Sequence, residues 1–293
     1  MKATTRLTLI ASTLALTFAP ALTACGTDAA DGGAAPESAA LGHVHGLALD
    51  AADERLYVAT HHGLFTTGES GDPVRVGDRA DDFMGFTVVG PKRFLASGHP
   101  APGSGEPAHH GLIESTDAGK SWKTLSLGGE ADFHALEHVH NTTYGYDSTK
   151  GMLRVSKDGK SWDDRARLQA LDIAVSPNDP DTVLATTPDG IARSTDGGRT
   201  FRPGRKPAMA FLSWPAPDVL YGLDSRGGVH RSTDGGATWD KAGELPGAGS
   251  GVQALTAVDK RRVLAATADG VYESTDGAKS FAKLFDVDTG AGH

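Results

Sequence analysis

Short runs of apolar and β-branched residues recur along the chain, each closed by turn residues. Leu56-Tyr57-Val58-Ala59-Thr60 and Val183-Leu184-Ala185-Thr186-Thr187 are two of them. Runs this short, bounded by Gly, Asp and Pro, predict strands rather than helices. A turn and a second run follow, as in Gly190-Ile191-Ala192-Arg193-Ser194. No convincing amphipathic helix interrupts the pattern, so the expected class is all-β.

The runs belong to a longer period. Ser115-Thr116-Asp117-Ala118-Gly119-Lys120-Ser121-Trp122 returns in altered form around Asp158, Asp196, Asp234 and Asp276, at intervals of 41, 38, 38 and 42 residues. A period near 40 with several short strands per unit is the pattern of a propeller blade. Starting points for an innermost strand fall near His43, Phe83, Phe133, Ala170, Ala208 and Val252, which predicts about six four-stranded blades. The first unit lacks the motif: Gly68-Glu69-Ser70-Gly71-Asp72 stands in its place. Terminal repeats are often atypical.

The motif's chemistry is structural. An aspartate bonds the backbone that follows it and fixes a tight turn. Glycine permits positive φ, and Ser or Thr adds a local hydrogen bond. The closing Trp or Phe is expected to pack between neighbouring sheets. The copy at Asp158 is one residue short, so its turn is expected to differ. These hairpins resemble the BNR or Asp-box repeat of sialidases, sortilin-like propellers and photosystem II assembly-factor-like proteins. The resemblance covers nearly everything after residue 41. It implies that Asp117, Asp158, Asp196, Asp234 and Asp276 are scaffold, on the face away from the channel mouth.

The N-terminus changes the picture of compartment. Lys2 and Arg6 precede an apolar stretch from Leu7 to about Leu22, and Leu22-Thr23-Ala24-Cys25 ends it. That is a signal-peptide pattern over residues 1–24. The sequence around Cys25, the only cysteine of the chain, resembles the lipobox of bacterial lipoproteins, which implies acylation at Cys25. Residues 25–41 read as a flexible tether of small polar residues, and 42–293 as the propeller. The expected protein is extracytoplasmic, lipid-anchored to the cell membrane, and monomeric. Its net charge of −9 falls to about −11 once Lys2 and Arg6 are removed, which disfavours a nucleic-acid partner.

The histidines supply the candidate chemistry. Eight of 12 fall on strand starts or turns expected at the channel mouth of the first three units: His43, His45, His61, His62, His99, His109, His110 and His134. Aligning the innermost strands places His45, Met84, His134, Asp172, Met209 and Gln253 at equivalent positions. Imidazole with thioether is a soft to borderline ligand set. It predicts a metal site from His43, His45, His61, His62, Met84, His99, His134 and Met209, with copper first and zinc second.

An enzyme is the alternative. The Asp-box resemblance implies a sialidase-like glycosyl hydrolase, active or degenerate. Sialidases resemble one another in an arginine cluster, a Tyr nucleophile and a Phe-Arg-Ile-Pro-type segment. None stands in place here: no innermost strand carries Arg, and Phe201-Arg202-Pro203 lies mid-chain. A carboxylate pair could still serve, with Asp172 beside Asp132 or Glu137. A third reading is an interaction or assembly scaffold with a protein partner, and a glycan ligand is a further expectation. Fold does not decide among these readings.

Overall fold

The computed structural model describes residues 41–287. It holds six four-stranded antiparallel sheets, each made of consecutive strands. Blade 1 comprises Val44–Leu49, Leu56–Thr60, Gly63–Thr67 and Pro73–Arg75. Blade 2 comprises Asp82–Gly90, Arg93–His99, Leu112–Ser115 and Lys123–Ser126. Blade 3 comprises Phe133–Val139, Thr142–Asp147, Met152–Ser156 and Asp163–Arg167. Blade 4 comprises Ile173–Val175, Val183–Thr187, Gly190–Ser194 and Arg202–Arg205. Blade 5 comprises Phe211–Ala216, Val219–Leu223, Gly228–Ser232 and Asp240–Glu244. Blade 6 comprises Val252–Ala257, Val263–Thr267, Gly270–Ser274 and Ala282–Asp286. The strands of each blade are lettered A to D in chain order. The protein is a six-bladed, all-β propeller.

The core is divided among the blade interfaces. Six clusters of buried residues each join two adjacent blades. Tyr57 and Leu64 of blade 1 meet Phe83 and Phe94 of blade 2. Leu41, Val44 and Val58 meet Leu264 and Val271, which closes blade 6 onto blade 1. Two hydrogen bonds reinforce that closure: Val44 N–H donates to Gln253 Oε1 at 2.9 Å, and Thr256 Oγ1 to the Leu47 carbonyl at 2.7 Å. A closed ring leaves only short blade rims as sheet edges.

The repeated motif builds the C–D hairpins. In the copy at Asp117, Ser115 Oγ accepts the Gly119 N–H at 2.8 Å, and Asp117 Oδ1 accepts the Ser121 N–H at 2.9 Å. Ser121 Oγ donates to Asp117 Oδ2 at 2.6 Å. Thr200, Thr238 and Ser280 repeat that last bond to Asp196, Asp234 and Asp276 at 2.6 Å. The shorter copy differs: Ser156 Oγ accepts from Gly159 N–H, only three residues on, and Trp162 Nε1 donates to Ser126 Oγ. In Trp122 and Trp239 the indole N–H instead closes onto the preceding Gly119 and Gly236 carbonyls. The aromatics end between sheets: Trp162 stacks on Phe133 at 4.8 Å between ring centroids. Gly145 lies against the same ring, where an added Cβ would come within 2.5 Å of Phe133.

Register corrects part of the sequence alignment. Strand A is bulged in blades 1, 2, 3 and 6, with His45, Met84, His134 and Gln253 as the extra residues. Blades 4 and 5 carry the same bulge at the entry to strand A: the Leu171 and Ala210 N–H groups donate to the Thr186 and Leu223 carbonyls, one residue out of the register that follows. In blade 4 Asp172 faces Thr186, whose N–H donates to the Asp172 carbonyl. In blade 5 it is Phe211, sharing Leu223 with Ala210, that takes the equivalent place. Met209 therefore falls outside the ring of equivalent positions. It is buried in the cluster with Leu184, Leu212 and Leu220. A strand's apolar pattern repeats every two residues, so a slip of two, from Phe211 to Met209, leaves it unchanged.

Candidate functional site

Strand A of five blades, and in blade 4 Leu171 and Asp172 just before it, lines the central channel, a cavity of about 350 Å³. His45 and His134 lie on its wall. Strand A begins, and strand B ends, at one mouth of this channel, so residues at both kinds of position converge there.

Two groups of side chains meet at that mouth. His43, His45 and His61 each offer a ring nitrogen, and these lie within 4.8 Å of one another. Their ring centroids are 4.6, 5.4 and 4.6 Å apart. His99, Asp132 and His134 form a second such set. Asp132 Oδ2 is 2.7 Å from His134 Nε2 and 3.4 Å from His99 Nε2, and it accepts the Ser148 hydroxyl at 3.1 Å. His99 Nδ1 lies 3.0 Å from the Ala108 carbonyl. A carbonyl only accepts, so the proton sits on Nδ1 and leaves the Nε2 lone pair free.

Asp82 was not among the residues singled out from sequence. It opens strand A of blade 2, as His43 precedes strand A of blade 1, and that shared position is the signal that could have found it. Its Oδ1 is 3.5 Å from His45 Nε2 and 4.0 Å from His61 Nε2. Across the sheet its register partner is His99. Gly98 makes that pairing fit: at φ 136°, a Cβ there would sit 1.9 Å from the Asp82 carbonyl.

Burial sets the protonation states. It depresses His45 to about 3, aided by the neighbouring charges of His43, His61 and His134. Burial, with His61 beside it, also lowers His43. Both rings are thus neutral at pH 7 with lone pairs available, the form that binds metal. Burial raises Asp82. Burial acts upward on Asp132 too, but the hydrogen bond and charge of His134, with His99, hold it below the ordinary carboxylate range. Among the buried side-chain atoms of the described residues that have no hydrogen-bond partner, four belong to the two sets and Asp82: His43 Nδ1, His45 Nε2, Asp82 Oδ1 and Asp132 Oδ1. Buried polar atoms are nearly always paired, so four orphans in one place need a cause.

The other candidates lie elsewhere. His62 stands against Gly42, outside both sets. Met84 is the bulged, half-buried residue of blade 2, two positions beyond Asp82. His110 is buried against Asp81, its Nε2 3.1 Å from Oδ2, in a network with Arg79 and Glu106 that ties down the loop after His99. His109 rests its ring 5.2 Å from that of His99. His138, His140 and His230 bond Thr143, Ser176 and Asp224. Tyr144 and Tyr146 are packing residues whose hydroxyls donate to the Pro180 and Leu168 carbonyls. Cys25 and the expected signal peptide over residues 1–24 lie outside the described residues.

Of the two partners expected for Asp172, the structure brings it Glu137 and not Asp132. Asp132 belongs with the histidines. Asp172 shares the deeper channel with Glu137. Both line the cavity, yet surrounding protein dominates their ionisation. Burial, then the charge of Asp172, raises Glu137 to about 8. Burial raises Asp172 to about 7, against the N–H groups of Leu212 and Ile173.

No family model and no curated protein matches the chain. Solved structures resemble it in fold. An ancestral GH74 enzyme matches at a TM-score of 0.54 and 16% identity, over 85% of this chain and 39% of that one. YCF48 bound to D1 peptide matches at 0.55 and 12%, over 82% and 92%. The extracellular domain of BT4673 from B. thetaiotaomicron matches at 0.50 and 10%, over 84% and 34%. This chain spans about two-fifths of the GH74 enzyme's length. At these identities the likeness is one of fold.

Proposed function

We propose that this protein is an exported, lipid-anchored propeller of the BNR/Asp-box type that binds a divalent transition metal at its channel mouth. Cys25 and the leader before it support the anchor, and the five Ser-x-Asp hairpins support the repeat family. The observation that carries the metal reading is the set of four unpartnered buried ligand atoms. Cations bound at the mouth would give these atoms the partners they lack. The ligand chemistry moves with the geometry. The copper-first expectation leaned on thioethers, and Met209 is buried in a blade interface. Imidazole with carboxylate suits Cu(II) or Zn(II) better than Cu(I). The protein would act as a binding module that holds or presents the ion outside the cytoplasm.

The test is calorimetric titration of the metal-stripped chain with Cu(II) and Zn(II). Submicromolar binding that disappears in the His45→Ala/His134→Ala double variant supports the site. Binding unchanged in that variant, or absent from the parent, removes it.

The channel carboxylates favour a second reading, a glycoside hydrolase. Burial raises Glu137 to about 8 and Asp172 to about 7, the range in which an acid and a base exchange protons near neutral pH. The fold likeness to a GH74 enzyme agrees with this. Turnover of a glycoside that Asp172→Asn abolishes would establish it. Turnover indifferent to that change would discard the pair.

A further inference from the structure

The geometry points to a two-ion centre at the mouth, in which Asp82 is shared between an ion held by His43, His45 and His61 and an ion held by His99, Asp132 and His134. This inference rests on the metal reading above and gives it a stoichiometry.

One ion cannot hold all the donors. Zinc or copper bound at about 2.0–2.2 Å brings its ligand atoms within roughly 4.4 Å of one another. Each triad has ligand atoms mutually within 4.8 Å, close to that requirement, but the described residues give two such sets rather than one set of six. Four ligands complete a tetrahedral shell. Each triad therefore lacks one donor, and among the described residues Asp82 is the carboxylate that stands between them with an unpartnered oxygen. Its Oδ1 faces His45 and His61 from 3.5 and 4.0 Å. Its backbone pairs with His99, the first member of the other set. The two sets are electrostatic neighbours as well. His45 feels the charges of His134 and Asp132, and Asp82 feels those of His61, His99 and His134. Two cations in so small a space repel, and a carboxylate between them offsets that repulsion.

The metal content decides the matter. The full chain, stripped with EDTA and loaded with zinc sulfate, is desalted and analysed for zinc per chain. Two ions are expected. His61→Ala and His99→Ala each remove one exposed arm, and the side chains are 44% and 37% accessible, so the blade cores stay intact. Each variant is expected to keep one ion. Asp82→Asn is expected to weaken both binding steps by about tenfold or more, the scale at which metal-site partners act. One ion in the parent, lost in both histidine variants, overturns the two-ion centre and leaves the metal reading standing. Weakening of a single step in Asp82→Asn overturns the sharing. No zinc in the parent overturns both.

Discussion

His45 Nε2 and Asp82 Oδ1 face each other across 3.5 Å from adjacent blades, both buried and both without a hydrogen-bond partner. With His45 depressed to about 3, the pair is a neutral ring beside a carboxyl group, not an ion pair. Two lone-pair donors aimed at one small volume are stabilised when a cation enters. Metal should therefore raise the thermal stability of the folded chain. At a free concentration of 100 times Kd the gain is about 2.7 kcal/mol, or roughly 5–10 °C in Tm for a domain of this size. Thermal melts with zinc, and again after EDTA, check this. A Tm indifferent to both would count against the site.

Glu137 gives the stability a pH dependence of definite sign. Its ordinary value is 4.5, and burial with Asp172 nearby raises it to about 8 in the folded chain. Between those values the folded state holds a proton that the unfolded state has released. Stability must then fall as pH rises from about 5 through 8. Glu137→Gln keeps the shape and removes the titration, so urea unfolding at pH 5 and pH 8 should show a flatter profile in the variant. Equal slopes in parent and variant would mean Glu137 is not the source.

Ser232 tests the hairpins. Its buried hydroxyl donates to Asp234 Oδ1 at 2.8 Å and accepts the Gly236 N–H at 2.8 Å. Ser232→Ala leaves that N–H without its acceptor and should cost about 1–3 kcal/mol in chemical denaturation. The C–D hairpins lie at the ends of the strands remote from the mouth, so metal affinity in the same variant should not change. A loss of affinity would contradict the separation of scaffold and site.

Phe133 measures what one blade interface is worth. It is fully buried, under Trp162 and against Gly145. Phe133→Ala empties that space and should destabilise by about 3–5 kcal/mol. A cost below 1 kcal/mol would mean that neighbouring blades collapse into the gap.

What the sequence determined by itself is whatever repeats locally. A strand's apolar run, a turn's Asp and Gly, and the aromatic after it are each read within a few residues. Their recurrence every 40 or so residues fixed the blades, their number and the aromatic packing between sheets. The clustering of His43, His45, His61, His99 and His134 at the mouth was legible for the same reason, since each stands at a strand start or strand end of known direction. The expectation of an anchor at Cys25 rests on the sequence alone. Tertiary structure decided the rest. Phe211, and not Met209, takes the ring position in blade 5, because a slip of two residues leaves the alternating apolar pattern of a strand unchanged. The grouping of Asp132 with His99 and His134, of Glu137 with Asp172, and of Asp82 with His45 joins residues from different blades. Such contacts depend on how closely the sheets approach and how far each bulge turns a side chain. Only the closed ring, packed blade against blade, sets those distances.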